Sequence, residues 1–256
     1  DTSIDSTHQI FFRTILEAQD IRKSGWNYTD STGNSKITCS FYARSNKAGT
    51  YCFSFRSVDA SGNMYYVKEF TLVADTWKRV VITIPSNSSL VFDDNNNSGA
   101  VLAISLQAGS DRDNATDDTW NTSDTSLATS NQVNFFDDTA NNFFLTGWQL
   151  EVGSQATPFE HRTFQEELTL CQRYFQALGN YGDGDVTANR FYNADYVNVH
   201  SFVRASYPKM RDQPNLDYTI ASGTVGTDYS TNGMIQLYIS NDTNVRIYDV
   251  TCEKEL

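Results

Sequence analysis

Period-two alternation of apolar and polar side chains, in runs broken by short polar stretches, restricts this chain more than any other feature. Leu102, Ile104 and Leu106 share one face of residues 100–108. Val80, Ile82 and Ile84 share one face of residues 77–84, where Pro85 stops the run. Successive side chains on a strand point to opposite faces, so such runs predict half-buried strands. Residues 36–43 (Ile37, Cys39, Phe41 and Ala43 on one face), 50–57 (Tyr51, Phe53 and Phe55), 64–73 and 143–152 (Phe144, Trp148, Leu150 and Val152) read the same way. No helix pattern of convincing length precedes residue 160. With 22 Asn, 25 Ser and 27 Thr among 256 residues, beside 14 Tyr and 16 Phe, the chain reads as aromatic strands joined by polar loops. The expected fold is all-β: an antiparallel β-sandwich over residues 1–162, a connector helix over 163–179 and a small β domain over 180–256.

The helix expectation rests on Thr163 and Glu166, spaced as a capping box, in which each side chain bonds the other's backbone N–H. Phe164, Leu168, Cys171 and Phe175 then fall on one helical face, Glu166 and Glu167 suit the positive end, and Gly179 is the expected stop. Beyond it, alternation at Val197, Val199, Ser201 and Val203, at Ile235, Leu237 and Ile239, and over 245–250 predicts further strands. Pro208 and Pro214 bound a loop. The apolar supply there is thin, which predicts that this part needs a partner surface.

Four cysteines, Cys39, Cys52, Cys171 and Cys252, include no CxxC pair, which argues against zinc. Runs 36–43 and 50–57 read as a hairpin whose apolar faces pair. Cys39 and Cys52 would then point to opposite sides, so all four are expected to be free thiols, as suits a reducing cytoplasm.

The formal net charge is −12, from 31 acids against 19 bases. That balance argues against nucleic acid as a partner, because phosphate binding needs clustered cations. No apolar run is long enough for a membrane span. The chain starts at Asp1 rather than Met, which predicts a trimmed or interior-started part of a longer polypeptide. Residues 90–142 hold nine aspartates (93, 94, 111, 113, 117, 118, 124, 137 and 138) against the single base Arg112. Their functional reading is a structural calcium site, since hard cations want several oxygens. Their plain reading is a solvated acidic loop.

No nucleophile-elbow, HExxH or Gly-rich phosphate sequence occurs, and His8, His161 and His200 are scattered, so no catalytic residue and no enzyme activity is expected. His161 reads as a hydrogen-bonding residue near the helix, and His200 as a surface residue. Sugar binding needs exposed aromatic faces flanked by planar polar groups. Trp26 and Tyr28 in GWNYTD, and Trp120 and Asn121 in DDTWN, fit that pattern as glycan-binding candidates. The alternative is a lid of tryptophans plugging the open end of a sandwich. Trp77 and Trp148, inside strand runs, read as core.

Residues 144–162 (FLTGWQLEVGSQATPFEHR), followed by EELTLCQRYF at 166–175, closely resemble a block recurring in bacteriophage tail-fibre and minor structural proteins. ITCSFYARS at 37–45 is similar to that family's LTLSFWVRS strand, and TWKRVVITIP at 76–85 to its TWEYKTITIPG strand. The terminus DVTCEKEL resembles the family's DAEL-type ending, with Lys254 a departure. The likeness covers residues 35–178 well and the remainder loosely. It implies a jelly-roll domain like a carbohydrate-binding module, with a further strand region before Asp1, then a small β domain. The whole would be a non-catalytic virion protein assembled in the bacterial host cytoplasm, a tail fibre or fibre tip. The implied partners are two further copies of itself in a homotrimer, other virion proteins and a host-surface glycan. A purely structural virion decoration, and a carbohydrate-binding module of a secreted glycanase, are the alternatives.

Overall fold

The computed structural model describes residues 4–59, 64–122, 127–178, 190–197, 201–206, 208–210, 212–222, 225–231, 233–239 and 242–254. The chain divides into two compact units, residues 1–160 and 161–255. It is an all-β protein of several antiparallel sheets with two short helices. Among the described residues no helix is long and apolar enough to cross a membrane.

The first unit runs β1 (Gln9–Glu17), α1 (Ala18–Lys23), β2 (Lys36–Ser45), β3 (Gly49–Ser57), β4 (Met64–Leu72), β5 (Lys78–Pro85), β6 (Ser98–Ala108), β7 (Thr119–Asn121), a 3-10 turn at Phe135–Asp137 and β8 (Phe143–Val152). Its strands form a five-stranded sheet in the order β1-β6-β3-β4-β7 and a three-stranded sheet in the order β5-β2-β8. The inward residues read from alternation, among them Phe41, Val80, Ile82, Phe53, Phe55, Leu102 and Ile104, meet in one core shared by both sheets. Phe41 of one sheet stacks on Phe53 of the other at 6.4 Å between ring centroids and meets Phe70 edge-on at 5.4 Å. Each such buried ring contributes about 1.5–3 kcal/mol by leaving water.

Three expectations are corrected here. Runs 36–43 and 50–57 are not a hairpin: β2 pairs with β5 and β8, and β3 with β4 and β6. Their apolar faces do meet, but across the sandwich. The short link passes from one sheet to the other at Gly49, whose φ of +140° suits glycine and whose Cβ position would lie 2.2 Å from the Val133 side chain. Cys39 therefore sits in the shared core and Cys52 on the outer face of the five-stranded sheet, and all four cysteines are free. In β8 the inward set is Phe143, Leu145, Trp148 and Leu150, while Phe144 and Val152 are exposed. A β-bulge at Gly147 (φ +62°) shifts the phase, so Leu145 and Trp148 both reach the core although three residues apart. Trp77 is not core: it precedes β5 on the parity opposite to Val80, Ile82 and Ile84, and half of it is exposed (50%).

The second unit carries α2 (Phe164–Gln172), β9 (Phe175–Leu178), β10 (Arg190–Val197), β11 (Ser201–Ser206), β12 (Asn215–Ser222), β13 (Val225–Thr231), β14 (Met234–Ile239) and β15 (Asp242–Glu253). β15 is flanked by β10 and β12 and also pairs with β9, while β14 lies between β11 and β13. The capping box at Thr163 and Glu166 forms with both bonds present. The helix nonetheless ends at Gln172, and Phe175 belongs to a strand whose partner is Glu253. No residue of α2 is buried, so its apolar positions make no core face, and a nine-residue helix has little intrinsic stability to extend it. Gly179, Val199 and His200 lie outside the described residues.

Candidate functional site

The aromatic candidates converge on Phe55 and Phe92. A turn through Ser24 and Gly25 (φ +88°) ends α1 and sends Trp26 inward, with the Trp26 backbone N–H donating to Ser24 Oγ at 3.2 Å. Trp26 is 3% exposed, packed at 6.0 Å from Phe55 and 6.4 Å from Phe92, while Tyr28 meets Phe92 edge-on at 4.9 Å. Trp120, half-buried, lies 6.1 Å from Phe55 and 5.6 Å from Tyr66, and its indole N–H donates to the Pro85 carbonyl at 3.1 Å. Asn121 accepts from Thr116 N–H at 2.9 Å and donates to the carbonyls of Thr116 and Thr119. The exposed-ring expectation is corrected for Trp26, whose faces are covered by neighbouring rings. Trp26 belongs to the shared core of the first unit, and Trp120 packs against it.

The acidic stretch dissolves into separate local contacts. Asp94 pairs with Lys23, Asp137 with Lys47, and Asp111 accepts from Ser6 Oγ. Asp117 and Asp118 flank Lys68 at 3.4 and 3.1 Å, and the Tyr66 hydroxyl donates to Asp118. That hydroxyl donation is the chief cause holding Asp118 below the usual carboxylate range, while burial, reinforced by Asp118, pushes the Tyr66 phenol up. Among the described residues no group of three or more His, Cys, Asp or Glu could hold a metal ion; Asp124 lies outside them.

A different place is open. At the end of β6, two adjoining hollows of about 450 and 620 Å³ share Ile4 and Gln107. Such volumes suit a small ligand. One wall is the segment 4–8, strapped down by Gly109 N–H to the His8 carbonyl (2.9 Å), Asp111 N–H to the Ser6 carbonyl (2.9 Å) and Arg112 Nε to the Thr7 carbonyl (2.8 Å). The approach is so close that a Cβ on Gly109 would lie 2.3 Å from the Asp5 carbonyl oxygen. The other wall is the loop carrying the 3-10 turn, where Phe135 is buried against Phe143 and Phe136 turns outward, 37% exposed. Gln132 anchors that loop, its Oε1 accepting from Cys52 N–H (2.9 Å) and its Nε2 donating to the Ser105 carbonyl (3.1 Å). A register shift between β1 and β6 beside Ile10 and Gln107 marks the floor.

The polar groups on that floor are unusual. Gln107 is 4% exposed and its Oε1 has no hydrogen-bond partner; the Oε1 of Gln9 is likewise buried and unpartnered. Buried acceptors without a donor are rare, since each forfeits its hydration for nothing. Asp5, His8 and Asp138 stand at the exposed rim. Residue reading did not find this cleft, because glutamines at polar strand positions carry no motif.

A second exposed feature lies on the outer face of the three-stranded sheet. Trp77 and Phe144 are 6.4 Å apart, and the Arg44 guanidinium lies 5.6 Å from the Phe144 ring centroid while pairing with Asp75. His161 is exposed, at the start of the second unit. No family model matches this chain, and no curated protein is significantly similar to it.

Proposed function

We propose that this chain is a non-catalytic attachment module of a bacteriophage virion appendage, a tail fibre or fibre tip, whose first unit is a jelly roll of carbohydrate-binding-module type that takes a host-surface glycan. The observation that carries the reading is the cleft at the end of β6: the outward ring of Phe136 in its wall and the exposed side chains of Asp5, His8 and Asp138 at its rim are what a pyranose needs for stacking of its C–H face and for hydroxyl hydrogen bonds. The resemblance of residues 144–175 to the tail-fibre block supports the virion setting, and with it a homotrimer bound to other virion proteins. The test is binding of the labelled full chain to bacterial cells and to their extracted surface polysaccharide. Saturable adsorption that the free polysaccharide competes away, with the polysaccharide recovered uncleaved, is expected. Light scattering should return three times the 28.8 kDa protomer mass. Absence of adsorption across host panels overturns attachment.

The exposed pair Trp77 and Phe144 with Arg44 favours a second reading, a purely structural appendage in which this face packs on another virion protein. Blank adsorption together with a chain stably incorporated in particles would select it.

A further inference from the structure

Granting the attachment reading above, we infer that the first unit carries a second saccharide site, a small platform of Trp77 and Phe144 on the outer face of the three-stranded sheet. Arg44 and Phe144 stand opposite each other on β2 and β8, and Trp77 precedes β5, whose first residue pairs with Ala43. The three thus lie side by side at one end of the sheet, and none of them lines the β6 cleft. Trp77 and Phe144 are 50% and 46% exposed, and among the described residues they meet no ring but each other.

The platform is held in place. Arg44 Nε donates to the Asp75 carbonyl at 3.0 Å and its Nη2 to Asp75 Oδ1 at 2.8 Å, while the guanidinium lies 5.6 Å from the Phe144 ring centroid. Asp75 has a left-handed φ of +58°, uncommon outside glycine, and its N–H is bonded to the Ser45 carbonyl at 2.8 Å. Bonding capacity is left over at the ring edges. Among the described residues the Trp77 indole N–H, Arg44 Nη1 and Asp75 Oδ2 make no hydrogen bond. Donors and an acceptor beside open rings complement a pyranose, whose C–H face stacks while its hydroxyls give and accept.

Size favours a sugar over a protein. Half of two aromatic side chains is about 200 Å². Tyr42 and Val81, further along the same face, do not double that area, whereas a stable protein interface takes about 800 Å² from each partner. Residues 157–160 lie against the far part of the face, where Glu151 Oε2 accepts from Thr157 N–H (3.0 Å) and Gln149 Oε1 from Glu160 N–H (2.7 Å).

The test is acrylamide quenching of tryptophan fluorescence in the full chain, titrated with the surface polysaccharide extracted from bacterial cells and with neutral hexopyranose oligosaccharides. Trp77 is the reporter, because the other three tryptophans are buried or half-buried. Expected are shielding of Trp77 by saccharide and loss of that signal in Trp77→Phe. Half-shielding should need at least tenfold more saccharide in Phe144→Ala and an unchanged amount in Phe136→Ala, which alters the cleft alone. Phe144 is exposed, so its variant keeps the fold, as a circular dichroism melt checks. Saccharide binding that leaves quenching unchanged, an unmoved titration in Phe144→Ala, or an equal shift in Phe136→Ala overturns the platform while leaving attachment standing. So does a Trp77→Ala chain that binds saccharide like the wild type but no longer enters particles, which would give this face to a virion protein. No saccharide binding at all, with blank cells, overturns both.

Discussion

Replacing Gln107 by leucine should stabilise the first unit, which is the reverse of what a buried hydrogen-bonding glutamine would do. Gln107 is 4% exposed and its Oε1 lacks a donor, so the folded state carries the desolvation cost of that oxygen, roughly 1–3 kcal/mol. Leucine has nearly the same volume and removes the orphan acceptor without opening a cavity. For a unit spanning residues 1–160, each kcal/mol moves the melting temperature by about 2–4 °C, so a rise of roughly 2–12 °C is expected. Tryptophan fluorescence isolates this unit, because all four tryptophans (26, 77, 120 and 148) lie within it. A melting temperature lowered by 2 °C or more would show that Oε1 is satisfied in the folded protein and would refute the reasoning.

Trp26→Ala should cost about 3–5 kcal/mol, read by circular dichroism melts, whereas Trp26→Phe should cost far less because the indole N–H has no partner to lose. Similar losses in both would contradict the unpartnered indole. Gly109→Ala should release the segment 4–8, since its Cβ would meet the carbonyl oxygens of Asp5 and Ser6 at 2.3 and 2.5 Å; early proteolytic clipping there is expected, and wild-type protection would refute the strap. Asp118 has its folded pKa depressed, so its contribution to stability is fully present above the ordinary carboxylate value and is lost as pH falls through the depressed one. Melts from pH 6 to 2 should therefore show a wild-type advantage over Asp118→Asn that closes toward the acid end; an advantage constant with pH would refute the assignment.

Strands β2 to β6 were legible because their two faces meet different surroundings, which writes period two into the sequence. β1 was not: Ile10, Phe11 and Phe12 run together, and the strand is half-exposed along most of its length, so no face dominates. Pairing was not legible either. A short polar link between two alternating runs looks the same whether the strands sit side by side or face each other across a core. At residues 45–49 the Tyr51 hydroxyl donates to the Lys47 carbonyl and Gly49 takes a positive φ, details that period two does not encode. The helix start at Thr163 was readable from its cap, while its end was not, because Phe175 continues the helical spacing yet gains ladder bonds to β15 instead.

The cleft was hidden for a related reason. Gln107 follows the bulge that separates the pair Phe11–Ser105 from the pair Ile10–Gln107, so plain alternation along β6 does not give its face. Residues 127–133 cover the outer face of the five-stranded sheet, closing Cys52, Tyr65, Val67 and Ala128 into a second small cluster. One signal of that cover did stand in the sequence. β4 carries apolar side chains on both parities, Met64 and Tyr66 inward and Tyr65 and Val67 outward. A strand apolar on both faces is covered on both, so polar residues on the neighbouring strands' outward parity must also leave water. The loop meets part of that need, Gln132 bonding the Cys52 N–H and the Ser105 carbonyl, while Ser105 Oγ stays buried without a partner.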